Sequence, residues 1–289
     1  MRIPKKRLRS GFEMPVFGIG TWKVGGGAVR DPLNDDKKDI DAIKWAVAMG
    51  VSHIDTAEIY ADGYAEILVG KAVRGVKRER LFIVSKVAPQ NLTYDGIISS
   101  ARGSIGRLGV KYLDLYLIHA PNPSIPMKES MRAMDSLMEQ GLIRNIGVSN
   151  FAPGRLEEAQ SHTKNRIVAN QVHYNLIVRE AERKGVLRHC QDNDIMLIAY
   201  RPVELGRLAR PGIPLLDGMA GKYGKSQAQI AINWLISQPS VVTLSKTSNI
   251  NHLMENLGAV GWGMENSDVE TLRASFPGQQ AVSDVAPLM

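Results

Sequence analysis

Four residues of this chain carry side chains that together could deliver a proton to a carbonyl oxygen: Asp55, Tyr60, Lys86 and His119. Asp55 and Tyr60 stand five apart in HIDTAEIYADGYAEILVG, residues 53–70, just past an apolar run that ends at Ile54. Asp55 and Lys86 are costly to bury singly, and pairing them lets both charges sit in a pocket of low dielectric. Lys86 can then aim its ammonium at the phenol of Tyr60. A neighbouring cation favours phenolate, so the pKa of Tyr60 is expected to fall from its usual value of about 10 toward the working pH. That makes Tyr60 a general acid. His119, at the end of the apolar run LDLYLI, is placed to hydrogen-bond and orient a substrate oxygen. A phenol and an imidazole aimed at one oxygen suit carbonyl reduction, because negative charge grows there as hydride reaches the carbon. Each residue alone admits a plainer role: a turn former at Asp55, a surface lysine at Lys86, a satisfied core histidine at His119. Their joint placement on one rim favours the chemical one.

That rim has to be built by the elements around it. Short apolar, β-branched runs at 17–21, 52–57, 81–86, 113–119, 143–149, 168–175, 195–202 and 241–246 read as strands. Between and after them, helical periodicity marks 38–49, 64–74, 94–108, 128–140, 153–162, 181–193, 226–237 and 249–259. Eight βα units with no linker between them predict a (β/α)8 TIM barrel, one α/β domain over residues 1–289. Residues 3–17 read as a hairpin turning at Ser10-Gly11 and plugging the barrel bottom. One more helix is expected near 267–274, with Ser267 as its N-cap and Pro277-Gly278 as its stop. The last stretch, GQQAVSDVAPLM, carries little pattern and reads as mobile.

Active sites of such barrels sit at the carboxyl ends of the strands. Those ends are Thr21-Trp22, Asp55, Lys86, His119, Ser149-Asn150, Gln171, Tyr200 and Lys246. An open doubly wound fold would announce a dinucleotide site by G-x-G-x-x-G after its first strand, and the run Gly25-Gly26-Gly27 lacks that spacing. It reads as a flexible loop. GYAEILVGK (63–71) and GMAGKYGKS (218–226) also miss the phosphate-loop spacing and read as a helix and a loop-to-helix turn.

Composition narrows the class. The chain has 289 residues, 44% hydrophobic and 22% charged, and shows no apolar run long enough for a membrane span. Its opening, MRIPKKRLRS, lacks the apolar stretch of a signal peptide and is expected to belong to the mature protein. The formal charge of +7 gathers only at Lys5, Lys6, Arg7 and Arg9 and at Lys77, Arg78 and Arg80. Neither cluster has interleaved aromatics, so no nucleic-acid partner is expected. The single cysteine, Cys190, allows no internal disulfide, which suits a reducing cytoplasm. His53, His162, His173, His189 and His252 show no metal-ligand spacing, so no metal is expected.

The series FGIGTW (17–22), GVSHIDTAEIY (50–60), LFIVSKV (81–87), LDLYLIHAP (113–121), GVSNF (147–151), NQVHYN (170–175) and SKTSNINHLMEN (245–256) resembles the aldo-keto reductases over nearly the whole chain. The resemblance implies a catalytic tetrad of Asp55, Tyr60, Lys86 and His119. It implies that Ser149, Asn150 and Gln171 hold a nicotinamide carboxamide, that Tyr200 stacks on the ring, and that Gly20, Thr21 and Trp22 lie beside it with Trp22 on the substrate wall. It also implies a 2′-phosphate clamp at Lys246, Thr247, Ser248 and Asn249, and adenine contacts at Glu255 and Asn256. Three positions depart from the pattern. His252 stands where an arginine is usual, Ser245 where proline is, and Arg201 where a serine is common. An imidazole offers one donor where guanidinium offers a charged fork, so NADPH is expected with weaker phosphate binding and NADH stays open. Arg201 can bind the pyrophosphate or bridge to Glu204.

The expected activity is NAD(P)H-dependent reduction of aldehydes or ketones by a monomer. The segments after His119, after Tyr200 and beyond residue 276 look too short for a deep pocket, so small carbonyls such as short aldehydes or dicarbonyls are expected. A nicotinamide-sensing subunit with little turnover is the alternative, which the complete tetrad disfavours. A carboxylate-based hydrolase is disfavoured by the lack of paired acids at the strand ends.

Overall fold

The computed structural model describes residues 3–289. Among the described residues ten strands form: β1 Lys5–Arg7, β2 Glu13–Pro15, β3 Phe17–Gly20, β4 His53–Asp55, β5 Phe82–Val87, β6 Leu115–Ile118, β7 Ile146–Ser149, β8 Ile167–His173, β9 Met196–Tyr200 and β10 Val241–Ser245. Strands β3 to β10 pair in parallel and close into a barrel in chain order, β10 returning to β3. Strands β1 and β2 form the antiparallel hairpin, with Lys6 opposite Met14. Leu8 and Met14 from that hairpin are buried with Val84, Leu115, Leu117, Met196, Ile198 and Val242 inside the barrel. The hairpin therefore fills the bottom of the barrel, as its alternating pattern predicts.

The helices are α1 Asp36–Ala48, α2 Tyr64–Val73, α3 Tyr94–Leu108, α4 Met127–Glu139, α5 Pro153–Ser161, α6 Glu180–Arg183, α7 Val186–Asp192, α8 Pro214–Tyr223, α9 Gln227–Ser237, α10 Ile250–Leu257 and α11 Asn266–Ser275. Their ends follow local chemistry. Thr93 caps α3 by accepting from the Gly96 N–H at 3.2 Å, and Gly109 ends it in the left-handed region at φ 66°. Ser226 and Gln229 make a reciprocal capping box at α9. The single helix expected over 181–193 is split into α6 and α7 at Gly185, whose φ is 72°. Helix α11 starts after Glu265 rather than Ser267, with no side-chain cap. Residues 218–223, read as part of a turn, belong to α8. The connection after Tyr200 thus holds a helical turn over Glu204–Ala209 and then α8, more structure than its sequence suggests.

Parallel strands covered by helices are apolar on both faces. β6, β7 and β8 are buried at every residue, and the outer faces pack against Leu68, Ile97, Met131, Met134 and Leu137 of the helices. Inside the barrel the fit is tight at Gly18, where a Cβ would lie 2.3 Å from Nδ1 of His53. A glycine on β3 is what lets an imidazole occupy the interior below Asp55.

The stretch GQQAVSDVAPLM, read as mobile, is docked. The Gln280 N–H donates to Ile177 O at 2.7 Å, the Ser283 N–H to the buried Glu180 carboxylate at 2.8 Å, and Leu288 is buried. The cause lies outside the stretch, in acceptors supplied by a distant part of the chain, so no local pattern reports it.

Candidate active site

Asp55 ends β4 and pairs in register with Val84 of β5, so Lys86 sits two residues further up the same inner face. Lys86 pairs in turn with Leu117 of β6, and His119 follows two residues on, its N–H donating to Val87 O at 3.0 Å. Neighbouring strands thereby bring three of the four groups to one level. Tyr60 arrives differently, on a helical turn over Tyr60–Gly63 in which Ala61 and Asp62 have φ of 50° and 54°. Left-handed non-glycine residues need support. The support is the Gly25–Gly27 loop: Gly27 O accepts from the Ala61 N–H at 2.9 Å and Ala28 O from the Asp62 N–H at 3.0 Å. Gly25 is itself tied by its N–H to Asp39 Oδ2 at 3.0 Å. The glycine run read as a flexible loop is therefore a brace for the turn that carries Tyr60.

Lys86 is wholly buried, and its ammonium has three N–H donors to place. They go to Asp55 Oδ1 at 2.5 Å, Thr56 O at 2.9 Å and the Tyr60 hydroxyl oxygen at 3.3 Å. Because Lys86 donates to that oxygen, the phenol keeps its own O–H free to donate elsewhere. The other oxygen of Asp55 accepts from Gln171 Nε2 at 2.7 Å. Burial works against the charge on Lys86, but Asp55 and Tyr60 outweigh it and hold its pKa above the usual lysine value.

Tyr60 corrects the expectation of a lowered pKa. Burial raises it, the charge of Lys86 pulls it down, the charge of Asp55 pushes it up again, and the net direction is upward. The cation lowers the cost of a phenolate without making it the resting state. His119 is pushed down to about 3 by burial and by the charge of Lys86, so its imidazole is neutral near pH 7. Its Nδ1 is buried and has no hydrogen-bond partner among the described residues. The Tyr60 ring meets His119 edge-on at 5.7 Å and Trp22 edge-on at 5.2 Å. Trp22 is 37% exposed and forms an open wall.

A second polar group adjoins the first. Ser149 donates its hydroxyl to Gln171 O at 2.9 Å, and Asn150 Nδ2 reaches His119 O at 3.1 Å and Ser149 Oγ at 3.0 Å. Tyr200 donates its hydroxyl to Asn150 Oδ1 at 3.2 Å. These contacts join Ser149, Asn150, Gln171 and Tyr200 to the four groups above, as the strand ends predict.

The Aldo/keto reductase family model matches residues 16–275. This chain belongs to that family. It is 35% identical over 269 residues to the methylglyoxal reductase YeaE of Escherichia coli, covering 91% of this chain and 92% of that protein. The thermostable aldo-keto reductase Tm1743, solved with the inhibitor epalrestat, superposes with a TM-score of 0.89 at 42% identity, over 93% of this chain and 98% of that one. An aldo-keto reductase of Klebsiella pneumoniae solved with NADPH gives 0.84 at 31% identity, over 97% of each chain.

The other residues that the resemblance implies lie at the ends of β3 and β10 and on α10. A Cβ at Gly20 would lie 2.8 Å from Cδ1 of Leu244, and Thr21 is buried with its hydroxyl donating to Asp55 O at 3.0 Å. Ser245 accepts from Asn256 Nδ2 at 3.1 Å, and Lys246 Nζ donates to Ser248 Oγ at 3.0 Å. Thr247 Oγ1 accepts from the Asn249 N–H at 3.0 Å. The Asn249 side chain caps α10, accepting from the N–H groups of Asn251 and His252. Those two N–H groups take up its Oδ1. His252 is exposed and Glu255 half-buried. Arg201 Nη1 lies 3.4 Å from Asp284 and 3.9 Å from Glu204, the bridging arrangement of the two expected for it. An amide and hydroxyl set beside an aromatic face, with a cation and hydroxyls beyond it, is a donor set that fits a nicotinamide dinucleotide.

Sequence reading missed the layer behind Tyr200. His173 stacks on it at 5.2 Å and 17°, with Nε2 at 2.8 Å from Glu204 and Nδ1 at 2.9 Å from Ser283. His173, Glu204 and Asp284 lie close enough to share an ion, but both ring nitrogens are already paired. Residues separated by thirty or a hundred positions give no local signal. The one hint was His173 and Asn175 in the polar run NQVHYN that ends an otherwise apolar strand.

Proposed function

We propose that this chain reduces small carbonyl compounds to alcohols with NADPH, with dicarbonyls of the methylglyoxal kind as its substrate class. It works as a single domain over residues 1–289, as a monomer in the cytoplasm. No helix among the described residues is long and apolar enough to cross a membrane. The observation that carries the reading is the three-way use of the Lys86 ammonium, which leaves the Tyr60 O–H free to donate. When bound, NADPH supplies the hydride. Lys246, Thr247 and Ser248 would hold its 2′-phosphate and Ser149, Asn150 and Gln171 its carboxamide, with Tyr200 against the ring.

The protein's own part is proton supply and charge stabilisation. Tyr60 rests as a phenol because burial keeps its proton on. A substrate oxygen set beside Tyr60 and His119 gains negative charge as the carbon is reduced, and two donors aimed at that oxygen stabilise it. Tyr60 then gives up its proton, and the phenolate left behind faces the ammonium of Lys86. Neutral His119 donates from its ring without competing for that proton. Trp22 leaves the mouth open, which suits a small and broadly chosen carbonyl.

Tyr60→Phe tests the reading. Turnover, followed by loss of the NADPH absorbance band with methylglyoxal, should fall by about 100- to 10,000-fold while NADPH affinity stays within about twofold. Retention of most of the turnover refutes the role of Tyr60.

A further inference from the structure

The docked segment 278–289 does not merely lie on the surface; it closes a ring of contacts that includes both Tyr200 and Asn150. The ring starts at Glu180, whose carboxylate is wholly buried. One oxygen accepts the Ser283 N–H at 2.8 Å and the other the Leu288 N–H at 3.1 Å. Lys184 spans the same place, its Nζ 3.0 Å from Glu180 Oε1 and donating to Leu288 O at 2.8 Å.

From there the ring runs in two directions. Ser283 Oγ meets Nδ1 of His173, and His173 stacks behind Tyr200. On the other side, the Met289 N–H donates to Asn150 O at 3.2 Å, and Met289 O accepts the Ala152 N–H at 2.6 Å. Tyr200 and Asn150 then close the ring by their own hydrogen bond at 3.2 Å. Asn150 has a φ of 63° and sits between Ser149 and Phe151, so its left-handed backbone has to be held from outside the strand. Met289 supplies one such hold.

We propose that Glu180 is a positioning residue for the nicotinamide end of the cofactor site, acting through Ser283 on Tyr200 and through Leu288 and Met289 on Asn150. The inference rests on the functional reading above, in which those two residues receive the nicotinamide. A buried carboxylate that organises two main-chain amides serves this end because each amide needs an acceptor and water is excluded. Among the described residues, no side-chain hydrogen bond or ion pair joins the adenosine end, at Lys246 to Ser248, to this ring.

The test compares two ligands on the full chain: NADPH, and 2′,5′-ADP, which carries the phosphates of the adenosine end but no nicotinamide. Affinities are read by quenching of tryptophan fluorescence, and kcat and KM for methylglyoxal are measured alongside. Glu180→Gln and Ser283→Ala should each weaken NADPH by about tenfold or more, the scale of one lost hydrogen bond to a charged or buried partner. Both should lower kcat, leave 2′,5′-ADP affinity within about twofold, and Ser283→Thr should restore NADPH binding. Equal changes for the two ligands, or no change for either, overturn the inference. Should Glu180→Gln not fold, the Ser283 pair decides alone. If the unsubstituted protein fails to bind or oxidise NADPH, the proposed function itself falls; if it does both and the variants match it, only this inference falls.

Discussion

Lys86 places its ammonium 2.5 Å from Asp55 Oδ1 and 3.3 Å from the Tyr60 hydroxyl, so one buried cation serves a carboxylate and a phenol at once. Removing the cation leaves Asp55 buried with Gln171 as the one other hydrogen-bond partner of its carboxylate among the described residues. Lys86→Met should therefore destabilise the protein by about 3–5 kcal/mol as well as ending turnover. Paired with Asp55→Asn, the same change should recover most of the stability and none of the activity. Denaturant melts and NADPH oxidation, run on the same samples, check both halves.

The pH profile of reduction follows from the upward direction at Tyr60. Reduction requires the protonated phenol, so a raised pKa moves the alkaline fall of kcat/KM to higher pH than an ordinary tyrosine gives. His119, held at about 3, contributes no inflection near neutrality. A profile of kcat/KM that is flat from pH 5 to pH 9 and falls above it is the expected result. An inflection between pH 6 and 7 that disappears in His119→Gln would show that the imidazole titrates after all.

His53 gives the fold its own pH dependence. Its ring is fully buried, neither nitrogen has a hydrogen-bond partner among the described residues, and burial depresses its pKa from 6.5 to about 4. Between those values the unfolded chain binds the proton and the folded one does not, so stability falls as pH drops from 6.5 toward 4. The loss from this one group amounts to about 3 kcal/mol. His53→Leu should flatten the stability curve across that window in urea melts at stepped pH.

Packing around the same ring makes Gly18 intolerant of any side chain. With a Cβ 2.3 Å from the imidazole, Gly18→Ala has to move either β3 or His53, at a cost of about 1–3 kcal/mol. The double variant with His53→Ala should cost less than the sum of the two single ones. Thermal melts of the three proteins measure that coupling.

In the segment proposed to hold the 2′-phosphate, His252 is exposed on the first turn of α10, a few residues past the pair formed by Lys246 and Ser248. His252→Arg should tighten NADPH by about tenfold while leaving NADH unchanged, because only NADPH offers a 2′-phosphate to the guanidinium. The ratio of the two dissociation constants is the measurement.

Much of this protein was legible in its residues because the determinants are local. Short apolar, β-branched runs alternating with helical stripes predict the barrel, and the turn at Ser10-Gly11 marks the hairpin. Asp55, Lys86 and His119 could be grouped before any coordinates because each ends a strand, and in a closed parallel barrel all strand ends reach one face. Tertiary structure alone decided the direction of the Tyr60 pKa, since that depends on how far burial outweighs one nearby cation. It alone turned the Gly25–Gly27 loop into a brace and the stretch beyond Gly278 into a docked wall. In each case a backbone group finds its partner on an element distant in sequence. Propensity reports what a segment prefers by itself; it carries no information about which buried acceptor, such as Glu180, waits a hundred residues away.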